Sequence, residues 1–394
     1  MNTKTKIFKN SIIFSFLFII HCQASTEIKT KDDEPLQNNQ NANISSCKVG
    51  FTSSYILKNG VNVLKLEPNN NITKPILFEY DAIRDFSEGL APVGIGDKWG
   101  FIDKSGTIVI NPQFDQVSIG FIFGLFGVKI GDKWGFIDNT GKLVIKPQFE
   151  DIAWITKSSE ALIGVKVRGK WGFIDTSGQI VIKPQFDACE NFSEGLAKVL
   201  LKHGGKEGFI DKSGKFVIKP QFDMADSFSE GLAGVLLKFS GKRGFIDKSG
   251  KFVIKPEFKF TNKFREGFAI VKKDEEENYN FIDKSGKFIT DGQISIGGLA
   301  NFSEGFLSFW VDKKCGYIDK LGNIVIKPQF ENCTDFSEGL ASIYIGAKCG
   351  YIDKLGNIVI EPQFKYCFGF KEGFGSVSVE EGKHAHIARP SCVK

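Results

Sequence analysis

A Phe/Tyr-Ile-Asp tripeptide recurs eight times along this chain, starting at Phe101, Phe136, Phe173, Phe209, Phe245, Phe281, Tyr317 and Tyr351. The steps between copies are 35, 37, 36, 36, 36, 36 and 34 residues. A fixed period in that range means a repeat array, in which a unit buries its apolar faces only against its neighbours. A full unit runs Lys170-Trp171-Gly172-Phe173-Ile174-Asp175, then a Gly turn, then Ile180-Val181-Ile182-Lys183-Pro184-Gln185-Phe186-Asp187, and closes on Phe192-Ser193-Glu194-Gly195-Leu196-Ala197. Residues 55–63 read as a degenerate extra copy, 76–93 as a half-unit and 370–379 as the closing one. Terminal repeats that drift from consensus suit capping units.

The unit reads as β throughout. Asp175-Thr176-Ser177-Gly178 separates two apolar β-type runs, the mark of a tight hairpin with Gly in a left-handed conformation. Pro112, Pro147, Pro184, Pro220, Pro256, Pro328 and Pro362 follow the second run and are expected to end its ladder, because Pro brings no N–H. Phe-Ile and Ile-Val-Ile are apolar at consecutive positions, so both faces of these strands need covering. The spacing predicts an all-β fold of tandem antiparallel repeats of about 36 residues spanning 47–379, with a polar tail at 380–394. A β-propeller-like ring and an open superhelical array both satisfy it.

Lys-Trp-Gly-Phe-Ile-Asp at Lys98, Lys133 and Lys170, with Phe-Ser-Glu-Gly-Leu-Ala downstream, resembles the WG (KWG) tandem-repeat family of bacterial proteins over about residues 75–379. The resemblance implies an all-β array, often exported, and carries no catalytic activity with it. The chain departs from the pattern after the third copy, where Trp is lost.

The N-terminus reads as an address. Lys4, Lys6 and Lys9 precede the apolar run at 11–20, and Ala24 offers a small residue for cleavage, so 1–24 is expected to be a signal peptide. An uncleaved anchor is the rival reading. A third makes Cys22 a lipidated cysteine, although His21 before it is atypical of a lipoprotein box. Residues 25–46 hold few large apolar side chains and are expected to be a flexible polar tether. Each reading places the body outside the cytoplasm, in the periplasm, on the cell surface or secreted.

Charge and composition narrow the function. The formal charge is +5, and loss of 1–24 with its three lysines and no acid leaves +2, too little for a nucleic-acid binder. Four histidines, two of them in the tail at His384 and His386, supply no metal or His-based catalytic site, and no cofactor is expected.

The repeated columns read first as structure. Asp103, Asp138, Asp175 and their equivalents precede a turn Gly, where Asp accepts backbone N–H bonds. The Gly before each Phe is replaced once, by Asn280, which points to positive φ or a close backbone approach. Glu88, Glu194, Glu230, Glu266, Glu304, Glu338 and Glu372 fit loop contacts to backbone or to the Lys98-type column.

The column between that Lys and Gly changes chemistry along the chain: Trp99, Trp134, Trp171, Glu207, Arg243, Tyr279, Cys315, Cys349. With equal columns side by side, Trp stacks on Trp, Glu207 pairs with Arg243, and Cys315 bonds Cys349. Cys333 and Cys367 then form a parallel bridge, Cys47 and Cys392 a staple across a ring, and Cys189 stays free.

No catalytic residues are expected. The most irregular units, 117–128 and 152–165, lose Phe-Ser-Glu-Gly and gain Phe121, Phe123, Phe126 and Trp154, which read with Trp99, Trp134 and Trp171 as an apolar contact patch. An exported, non-enzymatic scaffold binding a protein or glycan of the envelope is therefore the expected function. The alternative is an envelope-polymer hydrolase or lyase. A membrane enters only through the N-terminal lipid or anchor.

Overall fold

Each unit folds as its alternation of apolar runs and Gly turns demands, into a small antiparallel sheet with strands in sequence order. The third sheet has strands Asp151–Ile152, Ile163–Val167, Lys170–Ile174 and Ile180–Phe186. Nine such sheets, at 82–114, 116–149, 151–186, 188–222, 224–258, 260–283, 306–330, 332–364 and 366–388, are the blades of a nine-bladed β-propeller. The computed structural model describes residues 48–393 except 50, 59–60, 69–75, 79, 154–159, 238–240, 274–278, 290–300 and 381–382. Among the described residues there is no helix.

Two hairpin types organise a blade. Between the third and fourth strands, Asp175 Oδ1 accepts the N–H groups of Ser177 and Gln179, while Gly178 takes φ of 88°. The Ser177 hydroxyl, then the Gln179 N–H, holds the Asp175 carboxyl below its ordinary range. The Asp column is turn chemistry, as its spacing indicated.

Between the first and second strands, Glu194-Gly195 is a two-residue turn closed by reciprocal Ser193 and Leu196 bonds. Its φ values of 54° and 90° are those of a type I′ turn. Glu88, Glu230, Glu266, Glu304, Glu338 and Glu372 share the conformation.

Pro does not end the fourth strand. Trp171 pairs with Phe186 and Phe173 with Ile182, so extra residues around Pro184 form a bulge and the strand runs on to Phe186. The strand ends its sheet, where a missing N–H is tolerated. The bulge presses on Gly172, whose added Cβ would lie 2.5 Å from the Ile182 oxygen and 2.6 Å from the Pro184 nitrogen. The Gly column therefore serves close approach, and these glycines are absent from the positive-φ set. Asn280 belongs to the one unit whose sequence has Gly292, not Pro, twelve residues after this column.

The array closes. Glu372 in the last blade accepts the N–H groups of Glu88 at 2.7 Å and Gly89 at 2.9 Å in the first, and its other partner is Lys104 at 3.2 Å. Phe86 packs on Phe374, and Ser376 donates to Asp85. Residues 380–394 are not a polar tail: Lys383–Ala388 is the last blade's third strand, and the strand Ile76–Phe78 lies beside it. Cys392 is disulfide-bonded, and Cys47 lies outside the described residues.

Two expectations concern this closure. Glu372→Ala strands two turn N–H groups and removes a charge-assisted contact, so it should cost about 2 kcal/mol by denaturant unfolding. His386 is buried, its ring nitrogen meeting the Arg84 carbonyl, and burial pushes its pKa down to about 4. The unfolded imidazole titrates near 6.5, so between about pH 6.5 and 4 the unfolded state binds the extra proton. Stability should be full above that window and fall as pH drops through it, by about 2 kcal/mol at pH 4.5. A His386→Gln variant should lose that slope; equal slopes would refute the assignment.

Candidate functional site

The repeated polar and aromatic columns converge on the seams between blades. Phe173 meets Phe192 of the next blade edge-on at 4.9 Å, and Phe209 meets Phe228 and Phe245 meets Phe264 in the same way. Each such pair contributes about 0.5–1.5 kcal/mol beyond its buried area. The Ser193 hydroxyl donates to the Phe228 carbonyl, and Ser229, Ser303 and Ser337 repeat the contact.

The Glu carboxylates cross the seams too. Gly231 N–H donates to Glu194 and Gly267 N–H to Glu230, both at 2.9 Å. Lys248, Lys284, Lys320 and Lys354 then cap Glu194, Glu230, Glu266 and Glu304. These are the turn lysines, not the Lys98-type column. Lys98, Lys170 and Lys206 instead pair with Asp115, Asp187 and Asp223 at 2.5–2.6 Å.

Sequence reading missed one member. Glu160 accepts from Gly195 N–H and pairs with Lys212 at 3.1 Å, although unit 152–165 was read as lacking the motif. The signal was Ser159-Glu160-Ala161-Leu162, with Ala in the Gly position.

The variable column is the largest correction. Equal columns are not neighbours; Glu207, Arg243, Cys315 and Cys349 each meet the position 18 residues on, in the next blade's first strand. Cys315 bonds Cys333 and Cys349 bonds Cys367, with Cα–Cα distances of 6.2 and 6.0 Å, so Cys315–Cys349 and Cys333–Cys367 do not form. Glu207 accepts from Ala225 N–H and approaches Lys198; Arg243 donates to Asp226 and Thr261. They are not a pair.

No ring contact joins Trp99, Trp134 and Trp171. Arg84 lies over Trp99 at 5.1 Å, Lys166 near Trp171 at 5.9 Å, and Trp134 packs on the core holding Phe149 and Ile152. All three are half-buried. Cys189 is free, and burial raises its thiol to about 12, so it stays protonated.

The apolar patch also changes. Phe121 and Phe126 are core, packed with Phe101, while Phe123 is exposed and Trp154 lies outside the described residues. Phe123 occupies the Glu position of its turn, with φ of 51°. Cys22 and the segments 1–24 and 25–46 also lie outside the described residues.

Among the described residues, no cluster of His, Cys, Asp and Glu has metal-site geometry. Among them no helix long and apolar enough to cross a membrane is present. The remaining surface feature is repetitive. Val109, Val144, Val181, Val217, Val253 and Val325 stand 43–46% exposed, one on the last strand of each of six blades.

A family model described as WG containing repeat matches residues 76–99, 99–134, 134–171, 171–204, 208–238, 244–276, 316–349 and 350–383. These eight matches take in more than half of the chain, which belongs to the WG-repeat family. No curated protein matches it in sequence. Among solved structures, a eukaryotic initiation factor is similar at TM-score 0.55 and 10% identity, covering 77% of this chain and 94% of that one. Hsv2p of Kluyveromyces lactis gives 0.36 at 9% identity, covering 61% and 91%. Virginiamycin B lyase from Staphylococcus aureus gives 0.32 at 17%, covering 59% and 93%. The first likeness shows the propeller fold and nothing of activity.

Proposed function

We propose that this protein is an exported, non-enzymatic scaffold that binds a protein or glycan of the cell envelope or surface. One observation carries the reading: the recurrent Asp, Glu, Ser and Lys side chains are engaged in turns and seams. Chemistry that looks catalytic in a list of residues is spent on holding blades together. Six blades also expose a valine on their last strand, a repeated aliphatic feature suited to contact rather than to bond cleavage. Two cystine bridges agree with an oxidising compartment. The basic, apolar, small-residue order of 1–24 supports export.

The test is a binding screen of the exported chain against envelope glycans and surface proteins, with the mass of each bound ligand followed over time. Saturable binding with unchanged ligand mass is the expected result. Ligand cleavage or elimination that depends on the protein would overturn the non-enzymatic reading.

A further inference from the structure

One of the nine blades already has a guest on its outer edge. In the eighth blade the fourth strand, Ile358–Phe364, ends its sheet, and Val49 from the N-terminal side lies parallel to it. Val49 N–H donates to the Val359 carbonyl at 2.7 Å, and Glu361 N–H donates to the Val49 carbonyl at 3.0 Å. Phe51 N–H donates to Gln363 Oε1, Lys48 Nζ reaches Glu361, and the Phe51 ring sits 5.8 Å from that of Phe364. Val359 is 2% exposed here, against 43–46% for its equivalents on six other blades.

The second, third, fourth and seventh blades carry the same edge as Val-Ile-Lys-Pro-Gln-Phe. Each of these strands is the last of its sheet and, among the described residues, pairs only with the strand before it. The acceptor is preset on at least two of them. Gln148 and Gln185 donate their amide N–H to the Lys146 and Lys183 carbonyls, as Gln363 does to Glu361, which leaves Oε1 outward. One difference sets specificity. Where the eighth blade has Glu361 opposite Lys48, these edges have Lys146, Lys183, Lys219 and Lys327.

We propose that these four edges bind an extended protein segment by parallel strand addition, with an acidic residue, a β-branched aliphatic, any residue and an aromatic in succession. The main-chain ladder supplies the binding and the acid–lysine contact chooses the ligand. An aliphatic ridge flanked by lysines suits such a peptide better than a neutral glycan, which has no N–H row to offer the edge. This deepens the scaffold reading above and rests on it.

The probe is a labelled peptide, Ser-Ser-Glu-Val-Gly-Phe-Thr, beside its twin with Lys in place of Glu, titrated into the full exported chain by fluorescence anisotropy. The Glu peptide should bind about fivefold tighter than the Lys peptide at low salt, and the gap should shrink as salt rises. A chain carrying Lys146→Glu, Lys183→Glu, Lys219→Glu and Lys327→Glu, all at exposed sites, should reverse the preference. Methylation of the Val nitrogen should abolish binding by either chain. Absence of binding up to about 1 mM, equal binding of the two peptides, or binding that survives N-methylation would overturn the proposal. So would sedimentation showing that a second copy of this chain occupies the edges. A negative result here, together with a saturable ligand in the envelope screen, would remove strand addition and leave the scaffold reading standing.

Discussion

Alanine in place of Gly172 should destabilise the protein by about 3 kcal/mol, although it adds one methyl group. Its Cβ would meet backbone atoms of the facing bulge at 2.5 and 2.6 Å, and backbone in a paired strand does not swing aside as a side chain does. Gly100 and Gly135 face the same geometry, at 2.5 and 2.6 Å from the carbonyls of Ile110 and Ile145. The internal control is Asn280→Gly, in the unit whose sequence has Gly292 in place of that Pro; it should change stability by less than about 1 kcal/mol. Chemical denaturation of the Gly172→Ala and Asn280→Gly variants checks this. A small loss at Gly172 would mean that the bulge is softer than its Pro suggests.

Removing either disulfide as a Ser pair should cost about 3 kcal/mol, because each bridge closes a loop of 18 residues. Peptide mapping under non-reducing conditions should recover Cys315 with Cys333 and Cys349 with Cys367, and Cys189 should resist alkylation until the protein unfolds. Recovery of a peptide joining Cys315 to Cys349 would show that equal columns touch after all. Both bridges tie one blade to the next, so their loss should loosen the seams either side of the eighth blade first.

The period, the all-β character and the Asp hairpins were legible in the sequence because they are local. A Gly after Asp, a β-branched run and a Pro act within a few residues of themselves. The seams were not legible, and the cause is geometric. The fourth strand of one blade passes into the first strand of the next within one residue, as from Phe330 to Asn332. Side chains of the variable column therefore meet partners 18 positions downstream, about half a repeat, whereas reading by columns compares positions a full repeat apart. Cys315, Glu207 and Trp99 were matched to the wrong partners for that one reason. Ring closure was open for a related cause, since it rests on Glu372 reaching Gly89 across nearly the whole chain. The Glu turns hid differently. A type I′ turn normally announces itself with Asn-Gly, but a carboxylate on a longer stem is needed to span to the neighbouring turn.

Those turns have a consequence for how the molecule comes apart. Seven glutamates hold φ between 51° and 54°, a conformation that costs a non-glycine residue on the order of 1 kcal/mol. The glutamate carboxylates make their bonds in the adjacent unit, so part of what offsets that cost lies outside the hairpin. A lone repeat is thus internally disfavoured while its coupling to a neighbour is strong, the regime in which a one-dimensional array melts as a block rather than unit by unit. Closure sharpens this further, because an open array has two ends that fray by losing a single neighbour, and a ring has none.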